Sequence, residues 1–399
     1  MSHGLLRKRQ AGAHARVSFV ELFFDLVFVF AITQLSHTLL AHLTWTGVLQ
    51  AGVLLLAVWW AWVYTTWVTN WLDPEHPSVR LMLFALMGVG LVLSTSLPSA
   101  FSGHARSFAL AYVTIQIGRS LFVLYAARGY ATLTHNFQRI VAWLSASAAL
   151  WIAGAFAAPD LRMAWWIAAL GIECLGPAAA YWIPGLGRTP THDWNVEGAH
   201  IAERCGLFVI IALGESVLVT GATFAGVDWT PEIVAAFFVA FIGTLAMWWI
   251  YFSAHAEAAS HAIASSDDPG RIARLAYTYI HIPIVAGIIV AAAGDELSLA
   301  HPMAAASPAV SAVLLGGPAL FLLGTLLFKA SVFRVWATPR LVGLGLLALL
   351  VPFAATGPAT LALAAAACGA LVVVGAWESV IRLREGGPAL PHKAPVTQA

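Results

Sequence analysis

The sequence predicts an all-α polytopic transmembrane helix bundle of about 12 helices, on three observations. Of 399 residues, 60% are hydrophobic and 10% charged, against ~25% charged in a soluble domain. Mean hydropathy is +0.82, so lipid must supply much of the solvent. Apolar runs of about 20 residues recur along the chain, the length one helix needs to cross a bilayer, whereas a β-barrel would alternate in segments of about ten.

The runs lie at roughly 17–40, 47–71, 79–98, 106–128, 137–157, 162–183, 203–224, 231–254, 273–293, 308–328, 338–355 and 359–381, with Pro, Gly and charge-bearing breaks between them. The first keeps Glu21 and Asp25 inside it and lacks a small-residue cleavage site, so it is expected to stay as a helix and not to be cut as a signal peptide. The tenth and eleventh boundaries are the least regular, because Lys329 and Arg334 interrupt them.

Basic residues test the count, because loops on the cytoplasmic side retain Lys and Arg. With twelve helices and a cytoplasmic N-terminus, Arg7, Lys8, Arg9, Arg16, Arg80, Arg128, Arg139, Arg188, Arg204, Arg271, Arg274, Lys329, Arg334, Arg340, Arg382, Arg384 and Lys393 fall on one side. Only Arg106 and Arg162 fall on the other. Both termini are therefore expected in the cytoplasm.

Internal similarity points to two parallel six-helix repeats, 17–183 and 203–384. Leu56-Ala57-Val58-Trp59-Trp60 matches Leu245-Ala246-Met247-Trp248-Trp249, Arg80-Leu81 matches Arg274-Leu275, and Arg128 and Arg139 have the separation of Lys329 and Arg340. Residues 1–16 form a basic N-terminal segment. The Pro- and Gly-bearing 184–202 reads as a cytoplasmic linker, and 385–399 as a disordered tail. The 17 Trp residues are expected mainly at the lipid interfaces.

A charge in the bilayer costs about 2.5–3.5 kcal/mol on insertion scales, so the few here are singled out, and all but Glu173 make up the candidate ion or solute path. They are Glu21 and Asp25 in the first helix, Arg119 in the fourth, Glu173 in the sixth, Glu203, Arg204 and Glu215 in the seventh, and His281 in the ninth. Asp25 and Arg119 each lie nine residues inside a cytoplasmic edge, roughly 13 Å deep, so an Asp25–Arg119 pair is expected. Glu21 and Asp25 are four apart and share a helix face. Two carboxylates together in low dielectric resist joint ionisation, which suits proton uptake or cation coordination. The alternative is a purely structural cluster, with Glu21 reaching water and Asp25 neutralised. Glu203 and Arg204 also suit helix capping and topology, and His281, beside Pro283, suits either proton relay or packing.

Other chemistry is not indicated. Cys174, Cys205 and Cys368 sit singly in apolar runs and read as packing residues, not as disulfide or zinc ligands. His255, Glu257 and His261 lack helical zinc spacing and are expected to be solvated. No Walker loop, Gly-x-Ser-x-Gly elbow or intramembrane lysine suited to a Schiff base appears. The net charge of +1 excludes a nucleic-acid partner. No catalytic residue, metal or cofactor is expected; the expected partners are the lipid bilayer, an ion or small solute, and a second copy in a homodimer.

The segment Val20-Glu21-Leu22-Phe23-Phe24-Asp25-Leu26-Val27-Phe28-Val29-Phe30-Ala31, continuing to Gln34-Leu35-Ser36, resembles the bacterial low temperature requirement protein A family. Glu203-Arg204 and Leu213-Gly214-Glu215 share that resemblance. It extends over most of the chain in helix order and implies a multi-pass protein of the bacterial plasma membrane, named for a growth phenotype in the cold. Glu21, Asp25, Glu203, Arg204 and Glu215 fall on the motif; Arg119 and His281 rest on depth alone. A fainter likeness links Phe24-Asp25-Leu26-Val27-Phe28 to the Phe-Ser-Asp motif of a lysosomal and bacterial potassium-channel family. Phe24 stands in place of the serine and Gly206-Leu207 in place of the second acidic motif, which argues against a symmetric pore. The leading expectation is a transporter or channel-like protein moving an ion or small solute, with proton linkage. The alternatives are a membrane sensor or assembly factor without a transported substrate, and an intramembrane enzyme acting on lipid.

Overall fold

The computed structural model describes residues 4–7, 16–191, 194, 196–264 and 266–384, the side chains of 253–261 and 264 excepted. The expected tail, most of the basic N-terminal segment, and the side chains of His255, Glu257 and His261 lie outside the described residues.

Twelve long helices make up the described chain, in agreement with the sequence. They are α1 (Phe19–Ala41), α2 (Trp45–Trp71), α3 (Pro77–Ser96), α4 (Ala105–Ala126), α5 (Ala131–Phe156), α6 (Pro159–Ala178), α7 (Gly198–Ala225), α8 (Pro231–Ala264), α9 (Pro269–Ala300), α10 (Pro308–Phe333), α11 (Thr338–Ala355) and α12 (Thr360–Arg384). Eleven are long and apolar enough to cross a membrane. The other, α6, carries Asp160, Arg162 and Glu173 within its 20 residues, which lowers its hydropathy.

Local signals set the helix ends. Ser18 and Glu21 form a capping box at the start of α1, Thr44 caps α2, Ser307 caps α10, and Pro opens α3 and α6 at positions where no N–H is needed. Lys329 does not end α10, which runs on to Phe333 and stops at Arg334 in the left-handed conformation, φ 57°. α7 starts at Gly198, ahead of its apolar run, because the polar His200 finds buried partners.

Neighbour relations in the first six helices recur in the second six. α1 packs on α2 and α3, α3 on α4, α4 on α5, α5 on α6, and α2 on α4 and α6. Likewise α7 packs on α8 and α9, α9 on α10, α10 on α11, α11 on α12, and α8 on α10 and α12. The two sets meet where α1 and α2 touch α7 and α9.

Several tryptophans depart from the expected interfacial belt. Trp45 and Trp229 are exposed, but Trp59, Trp60 and Trp62 on α2 and Trp151 and Trp166 on α5 and α6 are fully buried. Each of these buried indoles donates a hydrogen bond: Trp59 to the Thr278 carbonyl, Trp60 to Cys174 Sγ, Trp62 to Asp25, Trp151 to Glu173 and Trp166 to the Trp151 carbonyl. A large ring with a satisfied N–H is a favourable core residue in lipid. All three cysteines are free.

The first part of α9 is not α-helical. A single α-turn, Pro269–Ile272, leads into a π-helical stretch, Ala273–Tyr279, before the α-helix resumes at His281. Two side chains of α2 meet this stretch: Trp59 donates to the Thr278 carbonyl at 2.8 Å and Trp67 to its hydroxyl at 3.1 Å. Such π-segments cluster at functional sites.

α9 and α10 approach each other backbone to backbone. A Cβ at Gly287 would lie 2.4 Å from the Phe321 nitrogen, and one at Gly317 2.5 Å from the Ala291 nitrogen; small residues allow this approach. Gly316 faces open space. Gly287→Val is therefore expected to destabilise the protein by about 1–3 kcal/mol through overpacking and to lower its unfolding midpoint in detergent, whereas Gly316→Val leaves the midpoint nearly unchanged.

Candidate functional site

α1 and α7 build a buried charge cluster in their first turns. Glu21 and Asp25 are one turn apart on α1; His200 and Arg204 are one turn apart on α7. Both acids and both α7 groups are fully buried. His200 Nε2 lies 2.9 Å from Glu21 Oε1 and Arg204 Nη2 donates to Asp25 Oδ1 at 2.6 Å, so the two helices run side by side in the same direction. Arg204 Nη1 adds an ion contact of 3.1 Å to Glu21 Oε1. Glu21 Oε2 accepts from the Ser18 backbone and hydroxyl, both at 2.9 Å. The capping residue of α1 is thus also a member of the cluster.

A second cation reaches Glu21 from outside the helices. Leu6 bridges to Leu72, Leu5 is buried, and Arg7 donates to the Thr69 carbonyl at 2.8 Å and to Glu21 Oε2 at 3.1 Å. Two guanidinium groups face two carboxylates, so the cluster is neutral with both acids ionised. The histidine adds no charge to this balance. Asn70 is oriented by the Glu197 backbone, donating to its carbonyl at 2.8 Å and accepting from its N–H at 2.9 Å. Its amide therefore donates to His200 Nδ1 at 3.2 Å, while His200 Nε2 faces both Glu21 Oε1 at 2.9 Å and Arg7 Nη2 at 3.1 Å.

Asp25 is less evenly served. Oδ1 takes both Arg204 and the Trp62 indole, at 2.6 and 2.7 Å, and the guanidinium lies 5.7 Å over the Trp62 ring. Oδ2 is buried with no hydrogen-bond partner.

The expected Asp25–Arg119 pair does not form. Arg119 reaches another face of α2, donating to the Ala61 carbonyl at 3.1 Å, Thr65 Oγ1 at 3.0 Å and Gln116 Oε1 at 2.5 Å, and lies 5.3 Å over the Tyr64 ring. Matched depth aligned the two charges along the membrane normal but said nothing of azimuth. The counter-charge of Arg119 is Glu173, reached through Gln116, whose amide donates to Glu173 at 2.9 Å. Tyr112, Ser147 and Trp151 complete the donors around Glu173.

The other expected residues stand apart. Glu203 is exposed and accepts the Val17 backbone N–H at 3.2 Å, tying the start of α1 to α7. Glu215 is buried on α7 with no hydrogen-bond partner among the described residues. His281 is packed and satisfied: Nδ1 donates to the Ala276 carbonyl at 2.8 Å, and Tyr251 donates to Nε2 at 2.7 Å.

Sequence reasoning missed several members. Arg7, Arg139, Lys329 and Arg340 look like loop cations, yet Arg139 is held by the Leu186 carbonyl and Thr189, and Lys329 and Arg340 each lie 2.9 Å from Glu378 Oε1. Asp295, near the end of α9, falls beyond the apolar run in which charges were sought. The signal that could have found His200 is its spacing, four before Arg204 as Glu21 is four before Asp25. Among the described residues, no three His, Cys, Asp or Glu side chains are grouped to hold a metal ion.

Removing Arg204 would leave two carboxylates buried against each other. Arg204→Ala is expected to cost about 3–5 kcal/mol, with part of the loss recovered in the Asp25→Asn, Arg204→Ala double variant. The Asp25→Asn, Arg119→Ala pair should be additive within about 0.5 kcal/mol; unfolding midpoints of the single and double variants check both statements.

The family model described as bacterial low temperature requirement A protein (LtrA) matches residues 16–376. An uncharacterized protein, RA0937, of Rhizobium meliloti (strain 1021) is 42% identical over 382 residues, spanning 94% of this chain and 91% of the relative. No solved structure matches the chain. The family match takes in both arms of the buried cluster, Glu21 with Asp25 and His200 with Arg204, and nearly all of the helical bundle: the chain belongs to the bacterial low temperature requirement A family.

Proposed function

We propose that this chain is a transporter or channel-like protein that moves an ion or small solute across the bacterial plasma membrane, with the α1–α7 cluster on its path and proton uptake at Asp25. One observation carries the reading: Asp25 Oδ2 is completely buried and has no partner, while its sister oxygen takes two donors. An idle acceptor in low dielectric is costly, and a proton or cation arriving at Oδ2 would satisfy it. Two features support the proposal. The recurring neighbour relations fit two parallel six-helix units that meet along α1 and α7, an arrangement in which binding groups gather where the units meet. The π-segment of α9 lies against α2 and α7, giving the path an irregular element able to change form.

The orientation proposed has both termini in the cytoplasm, which follows from the distribution of basic residues. A second reading, a membrane sensor or assembly factor without a transported substrate, is favoured by Glu21, whose two oxygens are already filled by Ser18, Arg7, His200 and Arg204.

Flux in proteoliposomes separates the two. With a trapped pH dye and imposed gradients of protons, sodium and potassium, the wild-type chain is expected to dissipate at least one gradient and Asp25→Asn to lose more than about 90% of that rate. No flux across the panel and across a set of small solutes would overturn transport and leave the sensor reading.

A further inference from the structure

A second polar site lies further along α7 and α9, away from the charge cluster. Ser216 Oγ stands 3.1 Å from Thr244 Oγ1 and 3.5 Å from Asp295 Oδ2, which brings α7, α8 and α9 to one point. Asp295 lines a cavity together with Leu314, Pro318, Met247 and Cys368. Pro318 lies inside α10 and has no N–H to give the Leu314 carbonyl four residues earlier. The cavity lining therefore includes Leu314, whose carbonyl lacks the usual helical donor four residues on.

Two further hydroxyls point to an occupant. α7 and α9 run in the same direction here, since Cys205 meets Tyr277 at one level and Ser216 meets Asp295 further on. Thr220 is four residues after Ser216 and Ser298 three after Asp295, so each shares its neighbour's helix face, one turn onward. Both are 3% exposed, and neither hydroxyl has a hydrogen-bond partner. Glu296 is about 100° round α9 from Asp295 and Glu215 about 100° round α7 from Ser216, so among the described residues Asp295 is the carboxylate in contact with these hydroxyls.

We propose that Asp295, Ser216, Thr244 and Ser298 form a binding site for a hard monovalent cation. The donors are all oxygen, which suits alkali and alkaline-earth ions and not the transition metals that imidazole and thiolate select. A single carboxylate balances a single positive charge, and a divalent ion would be left half-neutralised in low dielectric. This goes beyond the reading of Asp25: the site lies on other side chains and is tested by binding, so it stands or falls independently of flux.

Sodium is the probe, with choline as a control at equal ionic strength. Purified full-length protein in detergent is expected to unfold a few degrees higher in sodium chloride than in choline chloride, saturably, because a ligand bound only to the folded state stabilises it. Asp295→Asn should abolish that shift and Ser298→Ala should raise the half-saturating sodium concentration several-fold. Equal midpoints in sodium and choline for the wild type, or an undiminished sodium shift in Asp295→Asn, would overturn the proposal. Should Asp295→Asn not fold, Cys368 on the same cavity decides in the wild type: sodium-slowed alkylation, located by peptide mass mapping, supports the site, and a rate equal to that in choline overturns it.

Discussion

The facing of two acids on α1 by an imidazole and a guanidinium on α7 is the constraint around which the bundle is arranged. Helix association in lipid has little hydrophobic drive, so packing and polar contacts must hold helices together. Here the polar contact is also obligatory, because Arg204 is the cation that meets Asp25 and it touches Glu21 as well. Glu21 starts α1 through its capping box and fixes α7 through His200; Asp25 fixes α2 through Trp62. Three helices thus share one set of hydrogen bonds, and their register follows from it.

Two further buried acids are each handled within their own half. In the first, Glu173 is surrounded by hydroxyl, indole and amide donors and linked to Arg119 through Gln116. In the second, Glu378 takes Lys329 and Arg340 directly. Both acids lie on the last helix of their half and meet partners from the two preceding helices, but the first is served mainly by neutral donors and the second by cations. Each is saturated, as stable burial requires. Asp25 has instead one idle oxygen.

Much of the fold was legible because the bilayer imposes a length on each apolar run, and the distribution of basic residues tests their number. The acidic half of the cluster was legible for the same reason: charges are rare enough in these runs to be counted. What depth does not carry is azimuth. Asp25 and Arg119 match in depth yet face different sides of α2, and the true partner, Arg204, looked like a residue at a helix mouth. His200 was hidden in a polar connector, and Asp295 lay outside the apolar window. Arg7 escaped notice because a basic residue before a first helix is adequately explained by topology, and only its hydrogen bonds to Thr69 and Glu21 reveal a structural task.

The position of Arg7 also bears on the order in which the protein is made. Glu21 has a cation 14 residues before it, already synthesised when α1 leaves the ribosome, so this acid never has to enter the bilayer without a counter-charge in reach. Asp25 must wait for Arg204, 179 residues later, with only the Trp62 indole to receive it meanwhile. A half-built chain therefore lacks the cation of Asp25 until its seventh helix arrives, and the place that Arg204 takes between α1 and α2 has to be open when it does.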